Sequence, residues 1–306
     1  MATDGAGENN LMTKSDPPMD IITQVPRLAA RPADSHKGDF GRVLIVAGSR
    51  GMTGAAILCG RAALRGGAGL VKVAVPRDAV AIVAAGDPCY MTVPLIQDVE
   101  GRLDFTALAE IFAVEQTQDA IAVGPGLGRS AELARMLPEL VGKATKPLVL
   151  DADGLSAFAG QPEKLHTGGV PLILTPHPGE LARLLGVDTA AVQAARDVVA
   201  GRFAREHRAI VVLKGHGTVV TDGKRLYRNT TGNPGMATGG TGDVLTGLIA
   251  ALLAQGLEPF AAAQLGVYLH GLAGDMARDR HGEIGMIATD LLDLLPGAVR
   301  LFQTAS

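Results

Sequence analysis

Short runs of β-branched and apolar residues recur along this chain, separated by longer stretches with helical spacing, and this alternation limits the fold more than any other feature. The runs are "RVLIVAGS" (42–49), "LVKVAVP" (70–76), "AIAVGP" (120–125), "PLVLDADG" (147–154), "PLILTPHPGE" (171–180) and "AIVVLKG" (209–215). Each is bounded by turn formers and reads as a strand buried on both faces. Between them, "GAAILCGRAALRGG", "SAELARMLPELVG" and "TAAVQAARDVVAGRFAREH" carry helical periodicity, with glycine at several exits. Strand, helix and strand repeated in this way give right-handed crossovers and a parallel sheet covered by helices, an α/β fold. The core materials agree, since 47% of residues are hydrophobic but only 3% aromatic, with no Trp. Ala, Val, Leu and Ile must therefore fill the interior, as parallel sheets prefer.

One departure from the rhythm is "TVVTDGKRLYRNT", where Asp222-Gly223 is a strong hairpin signal and predicts an antiparallel pair late in the sheet. Residues 1–20 are polar, acidic and rich in Gly, Asn and Pro, and are expected to form a disordered tail. From there to residue 306 no linker or repeat interrupts the chain, which predicts a single domain over 21–306. A net charge of −3 without a basic stripe argues against nucleic acid as a partner. No apolar run reaches the roughly 18 residues of a membrane span, and no secretory leader is present. Cys59 and Cys89 are isolated, so neither a redox pair nor a zinc site is indicated, and a reducing cytoplasm is the expected compartment.

Ligands of open α/β sheets sit beyond the carboxyl ends of the strands. There the sequence places "AGSRGMTGAA", "GPGLGRS", "DADG", "TPHPGE", "KGHGT" and "GGTGD", loops rich in Gly, Pro, His and Asp. The last is the most telling. Four glycines fall between Gly235 and Gly242, followed by Asp243 and then by Leu245, Leu248, Ile249 and Leu252 at helical spacing. A helix starting there points its unpaired N–H groups and positive dipole end at the glycine loop, which makes an anion site suited to a phosphoryl group. Neither a Walker A string nor a dinucleotide fingerprint occurs. Asp243 reads either as a cap of its own helix or as a base that deprotonates an attacking hydroxyl, and the glycine bracket favours the base.

At these residues the sequence resembles the nucleotide-dependent NAD(P)H-hydrate dehydratases, a family of the ribokinase-like superfamily with a three-layer αβα fold. "KGDFGRVLIVAGS", "MTGAA", "GPGLGRS", "DADGL", "TPHPGE", "LKGHGT" and "GGTGDVLTG" occur in the family's order, over about Asp34 to Leu295. The resemblance implies a hydro-lyase that repairs NADH and NADPH damaged by hydration: ADP or ATP, with Mg²⁺, phosphorylates the added hydroxyl, and phosphate is then eliminated. It implies Asp243 as base, Gly240, Thr241 and Gly242 around the transferring phosphoryl group, and Lys214, Gly215, His216, Gly217 and Thr218 along the adenine nucleotide. Ala55, Gly126 and His177 match positions contacting the hydrated dinucleotide.

Glu180 resembles an acidic residue associated with Mg²⁺ in ribokinase-like enzymes, or else caps its helix. Asp151 and Asp153 read equally as ligands or turn formers, and Asn233 is placed to shape the anion loop. His36 has no assigned part. The family also implies a homotetramer and a separate epimerase partner, the chain's about 30 leading residues being too few to hold that domain. The Ala- and Gly-rich "EPFAAAQLGVYLHGLAGDMARD" reads as a helix packed either inside the fold or against a neighbour. The alternatives are a vitamin-precursor kinase of the same superfamily and a catalytically inactive nucleotide-binding module; the intact Asp243 speaks against the latter.

Overall fold

A computed structural model describes residues 17–304. Its centre is one sheet of ten strands: β1 (Asp20–Ile22), β2 (Arg42–Val46), β3 (Leu70–Pro76), β4 (Met91–Leu95), β5 (Ala120–Val123), β6 (Leu148–Leu150), β7 (Leu172–Leu174), β8 (Ile210–Leu213), β9 (Val219–Thr221) and β10 (Arg225–Arg228). They stand in the order β1, β10, β9, β8, β7, β6, β5, β2, β3, β4. From β2 the chain steps outward to β3 and β4, then returns to the other side of β2 and continues through β5 to β8, all in parallel. Strand order thus reverses between β2 and β5, the kind of point beside which open α/β sheets take their ligands.

Helices cover both faces. On one lie α1 (Thr53–Arg65), α2 (Val80–Ala84), α9 (Thr241–Ala254), α10 (Pro259–His281) and α11 (Ala288–Thr304). On the other lie α3 (Ala107–Glu115), α4 (Ala131–Lys143), α5 (Asp153–Ser156), α6 (Pro178–Leu185), α7 (Thr189–Ala194) and α8 (Arg196–His207). Alternation along β2 explains the three layers: Val43 and Ile45 enter one core, Leu44 and Val46 the other. Among the described residues no helix is long and apolar enough to cross a membrane.

The hairpin forms where Asp222-Gly223 predicts it. Asp222 Oδ1 accepts from the amides of Lys224 and Arg225 at 2.9 and 2.7 Å, and β9 pairs antiparallel with both β8 and β10. Three features depart from the sequence reading. The expected tail lies outside the described residues up to Asp16, but Met19 packs on the core and Asp20 opens β1, which pairs with β10 and covers what would be a bare edge. The helix read over 189–207 divides at Ala195 (φ −139°, ψ 43°), where α8 sets off with Arg196 hydrogen-bonded to the Leu213 and Lys214 carbonyls at the end of β8. Strand β4 carries Pro94 and escaped notice for that reason; as an edge strand it can do without the missing N–H.

Close contact between α1 and α9 fixes the starting point of α9. A Cβ on Gly247 would lie 2.1 Å from the Cys59 carbonyl oxygen. Gly247→Ala is therefore expected to lower stability by about 1–3 kcal/mol through overpacking, read as a lower urea midpoint; an unchanged midpoint would show that the two helices can separate freely.

Candidate active site

Beyond the carboxyl edge of the sheet, α9 begins with three amide N–H groups to spare. The first bond at its head runs from Val244 N to Gly240 O, while the amides of Thr241, Gly242 and Asp243 find no acceptor among the described residues. Gly240 supports this geometry with φ 91° and a close approach to Leu58, whose Cδ1 would stand 2.5 Å from an added Cβ. Gly242 has no such internal reason to lack a side chain, since its nearest neighbours would stand at ordinary contact distance, Lys214 Nζ at 3.5 Å and Asp151 Oδ2 at 3.8 Å.

Asp243 is not a cap. Its carboxylate makes no hydrogen bond among the described residues, although it holds the third helical position. Burial pushes its carboxyl up to about 7, helped by the negative charge of Asp151 and opposed by Lys214. Asp151 itself, 1% exposed, accepts from Lys214 Nζ at 2.7 Å and from Thr246 Oγ1 at 2.7 Å. Lys214 Nζ also lies 3.8 Å from Glu180. Burial works against the ammonium, but Asp151, Glu180 and Asp243 outweigh it and hold Lys214 charged. Between the two aspartates of "DADG", Ala152 takes a strained backbone (φ 52°, ψ −121°). That turn sends Asp151 inward while Asp153 accepts the Gly128 amide at 2.9 Å, so Asp153 shapes the loop after β5.

Beside the head of α9 is a cavity of about 450 Å³ lined by Lys214, Gly215, His216, Gly217 and Thr218 on one side and by Thr241, Gly242 and Leu245 on the other. At the point where strand order reverses, Ala55 and Gly126 touch, a Cβ on Gly126 falling 2.8 Å from that of Ala55, and Ser49 Oγ donates to the Gly126 carbonyl at 2.8 Å. Leu58, one turn along α1 from Ala55, packs against Gly240. Larger surface hollows of about 710 and 830 Å³ lie elsewhere and contain none of these loops.

His177 and Glu180 are brought together as a reciprocal cap of α6. His177 Nδ1 accepts from the amides of Gly179 and Glu180 at 3.1 and 3.3 Å, and the Glu180 carboxylate accepts from His177 N at 2.7 Å. Glu180 therefore caps its helix. With Nδ1 accepting, Nε2 carries the proton on a half-exposed edge, 3.5 Å from Glu180 Oε1. His36 caps a short turn with Asp39, its backbone N donating to Asp39 Oδ2 at 2.8 Å, and takes no part in the site.

The sequence reading missed what holds the glycine loop. Asn233 does shape it, accepting the Gly235 amide at 3.0 Å, but Asn233 Nδ2 and Gly232 N are themselves anchored on Asp275 of α10, at 3.0 and 2.9 Å. Thr231 Oγ1 donates to the Tyr268 carbonyl at 2.8 Å, and His270 Nε2 to the Thr241 carbonyl at 2.9 Å. Gly271 and Gly274 let the loop lie on this helix: added Cβ atoms would meet Thr231 Oγ1 at 2.2 Å and Met236 Sδ at 2.3 Å. The small residues of α10 thus pack inside the fold, against its own loop. Thr246, a polar residue in an apolar helix, and His270, a lone ring in an Ala- and Gly-rich one, were the available signals.

Solved structures place this architecture among the ribokinase-like α/β proteins. Arabidopsis thaliana ribokinase, at 15% identity, shares the fold with a TM-score of 0.52 over 83% of this chain and 98% of that one. Residues 43–297 match the model of the NAD(P)H-hydrate dehydratase family, and the chain belongs to that family. It is 41% identical over 268 residues to the ADP-dependent (S)-NAD(P)H-hydrate dehydratase of Neisseria meningitidis serogroup B, covering 86% of each. The ADP/ATP-dependent NAD(P)H-hydrate dehydratase of Bacillus subtilis, co-crystallized with ATP and Mg²⁺, is 33% identical with a TM-score of 0.79, covering 90% of this chain and 95% of that one. The Moorella thermoacetica bifunctional NAD(P)H-hydrate repair enzyme Nnr is 48% identical over 280 residues, 91% of this chain. The chain spans about half the length of the bifunctional relatives it matches, 52% in that case.

The raised Asp243 carboxyl has a consequence for stability. Its folded value of about 7 stands above the roughly 3.9 of an unfolded aspartate. The folded state therefore holds an extra proton between those values, and the stability tied to it is lost as pH rises through about 7. Asp243→Asn, which is never charged, is expected to gain on the parent protein as pH rises, its advantage at pH 8 exceeding that at pH 5 by on the order of 3 kcal/mol. Thermal unfolding across that range tests this; a gain that does not change with pH would count against a raised Asp243.

Proposed function

We propose that this chain restores hydrated NADH and NADPH, using ADP or ATP to make the added hydroxyl a leaving group. The observation that carries this reading is the unpartnered, largely buried Asp243 carboxylate beside three free amides at the head of α9. Adenine nucleotide is placed in the cavity lined by Lys214, Gly215, His216, Gly217 and Thr218, with its terminal phosphate against Gly240, Thr241 and Gly242. The hydrate is placed at the strand-order reversal beside Ala55 and Gly126, with the half-exposed edge of His177 as a further polar contact. Asp243 takes the hydroxyl proton, the oxygen bonds to the terminal phosphorus, and the bond from phosphorus to the nucleotide breaks; with ADP the product is AMP. A carboxyl poised near 7 can accept that proton at neutral pH and pass it on. In the second half the ring nitrogen's lone pair expels phosphate from the neighbouring carbon, and loss of the adjacent ring proton restores the double bond.

The residues fit Mg²⁺ as a cation carried by the nucleotide. Among the described residues no cluster of three His, Cys, Asp or Glu could hold a metal alone, and Mg²⁺ usually binds through phosphates, waters and one or two carboxylates. Glu180 and Asp153, each with oxygen lone pairs left over, are the residues that would hold it. When bound, the cation neutralises phosphate charge.

ADP as donor is supported by the name of the Neisseria relative, and either nucleotide by that of the Bacillus one. A separate epimerase partner, a homotetramer and a cytoplasmic location complete the reading; two free cysteines fit a reducing compartment.

Incubating the protein with hydrated NADH and either nucleotide should restore the reduced-nicotinamide absorbance. Accumulation of a stable phosphorylated product instead would identify a kinase. Asp243→Asn is expected to retain nucleotide affinity and to lose turnover by at least about 10²-fold, the low end of what a general base supplies; near-normal turnover would remove Asp243 as base. Gly242→Ala should fold at least as stably, given alanine's helix preference of about 1 kcal/mol, yet turn over more slowly because its methyl occupies the phosphoryl site. Full activity in that variant would move the phosphate elsewhere.

A further inference from the structure

His270 fastens the glycine loop with only one of its two ring nitrogens. Its Nε2 faces a carbonyl oxygen, that of Thr241, and so must be the protonated nitrogen. Nδ1 is then a bare acceptor without a protein donor among the described residues. It is not sealed away either: the one fully buried side-chain polar atom without a partner among those residues is Glu115 Oε2. The ring lines the cavity shared by Lys214 to Thr218 and Gly242, the hollow on which an incompletely buried Nδ1 can act. Burial pushes the imidazole down to about 4, against the pull of its bond to Thr241, so the ring is neutral at working pH and Nδ1 keeps its lone pair.

We propose that His270 Nδ1 accepts a hydrogen bond from an N–H or O–H of the bound nucleotide and so selects nucleotides that carry a donor at that point. This rests on the nucleotide-binding reading of the cavity. One ring would then face both ways, with Nε2 setting the position of the loop that grips the phosphate and Nδ1 reading the base or sugar. Two parts of a nucleotide carry suitable donors: the 6-amino group of adenine and the ribose hydroxyls. A guanine or hypoxanthine base offers a carbonyl in place of that amino group, which would leave two acceptors face to face; a buried polar group without a partner is the strongest basis for discrimination.

The test uses the full-length protein with ¹⁵N-labelled histidine, observed by two-bond ¹H–¹⁵N spectra, with His270→Gln identifying the resonance. Free protein should show His270 protonated at Nε2 alone, and saturating ADP should move its Nδ1 resonance toward the hydrogen-bonded position while that tautomer persists. IDP, 2′-deoxy-ADP and 3′-deoxy-ADP separate the donors, because the one lacking the contacting group binds without moving Nδ1 and about tenfold more weakly. In His270→Gln, whose amide N–H still reaches the Thr241 carbonyl, that tenfold preference should vanish. Nδ1 unmoved while titration calorimetry shows ADP bound overturns the inference and leaves the nucleotide site standing. A shift that survives all three replacements also overturns it, since the donor is then not on the nucleotide. Absence of any ADP binding overturns the reading of the cavity itself. The spectra of the parent protein decide the matter even where the variant folds poorly.

Discussion

One ammonium group facing three carboxylates organises this site. Lys214 pairs with Asp151 at 2.7 Å inside the protein, and that contact joins the ends of β6 and β8 while Thr246 ties the same aspartate to α9. A buried pair of this kind is weak evidence for stability, because desolvation offsets much of its attraction. Its value lies in the setting it makes for Asp243. Burial is the main reason that carboxyl keeps its proton to near neutral pH; the charge of Asp151 adds to the effect, and Lys214, already paired with Asp151, only partly opposes it. In the proposed reaction that shift would let Asp243 take up a proton at neutral pH.

The second constraint is mechanical. The glycine loop turns once on itself behind Asn233 and is fastened as a whole on α10, which receives Thr231, Gly232 and Asn233 along one face and holds Thr241 through His270. That face works because Gly271 and Gly274 bring the loop's backbone and Met236 directly onto the helix. The amides at the head of α9 are thereby held in place by the fold itself, as the proposed phosphate contact would require, since preorganised donors lose nothing to rearrangement during reaction.

Much of this was legible beforehand. Buried parallel strands announce themselves as continuous apolar runs, so β2, β3 and β5 through β8 were visible, as was the turn at Asp222-Gly223. Strand β4 was hidden by Pro94 and β1 by its polar surroundings, since each exists because of the neighbour it covers or pairs with. The break at Ala195 was invisible for the same reason: Arg196 answers to carbonyls on β8, not to any residue in its own segment. At the site, Asp243 and its glycines stood out through local spacing. The alternatives left open for Glu180 and Asp153 needed the third dimension, which shows both engaged in local caps and turns.

The sequence alone determined the parallel α/β architecture, the helix start at the glycine loop and the family motifs, because these depend on periodicity and on short-range backbone chemistry. Only the tertiary structure decided that Asp243 stands without a hydrogen bond, that Asp151 and not Asp153 meets Lys214, and that α10 carries the loop. Those are relations between groups separated by tens of residues, and burial and charge at a point in space are sums over neighbours that no local stretch of chain contains.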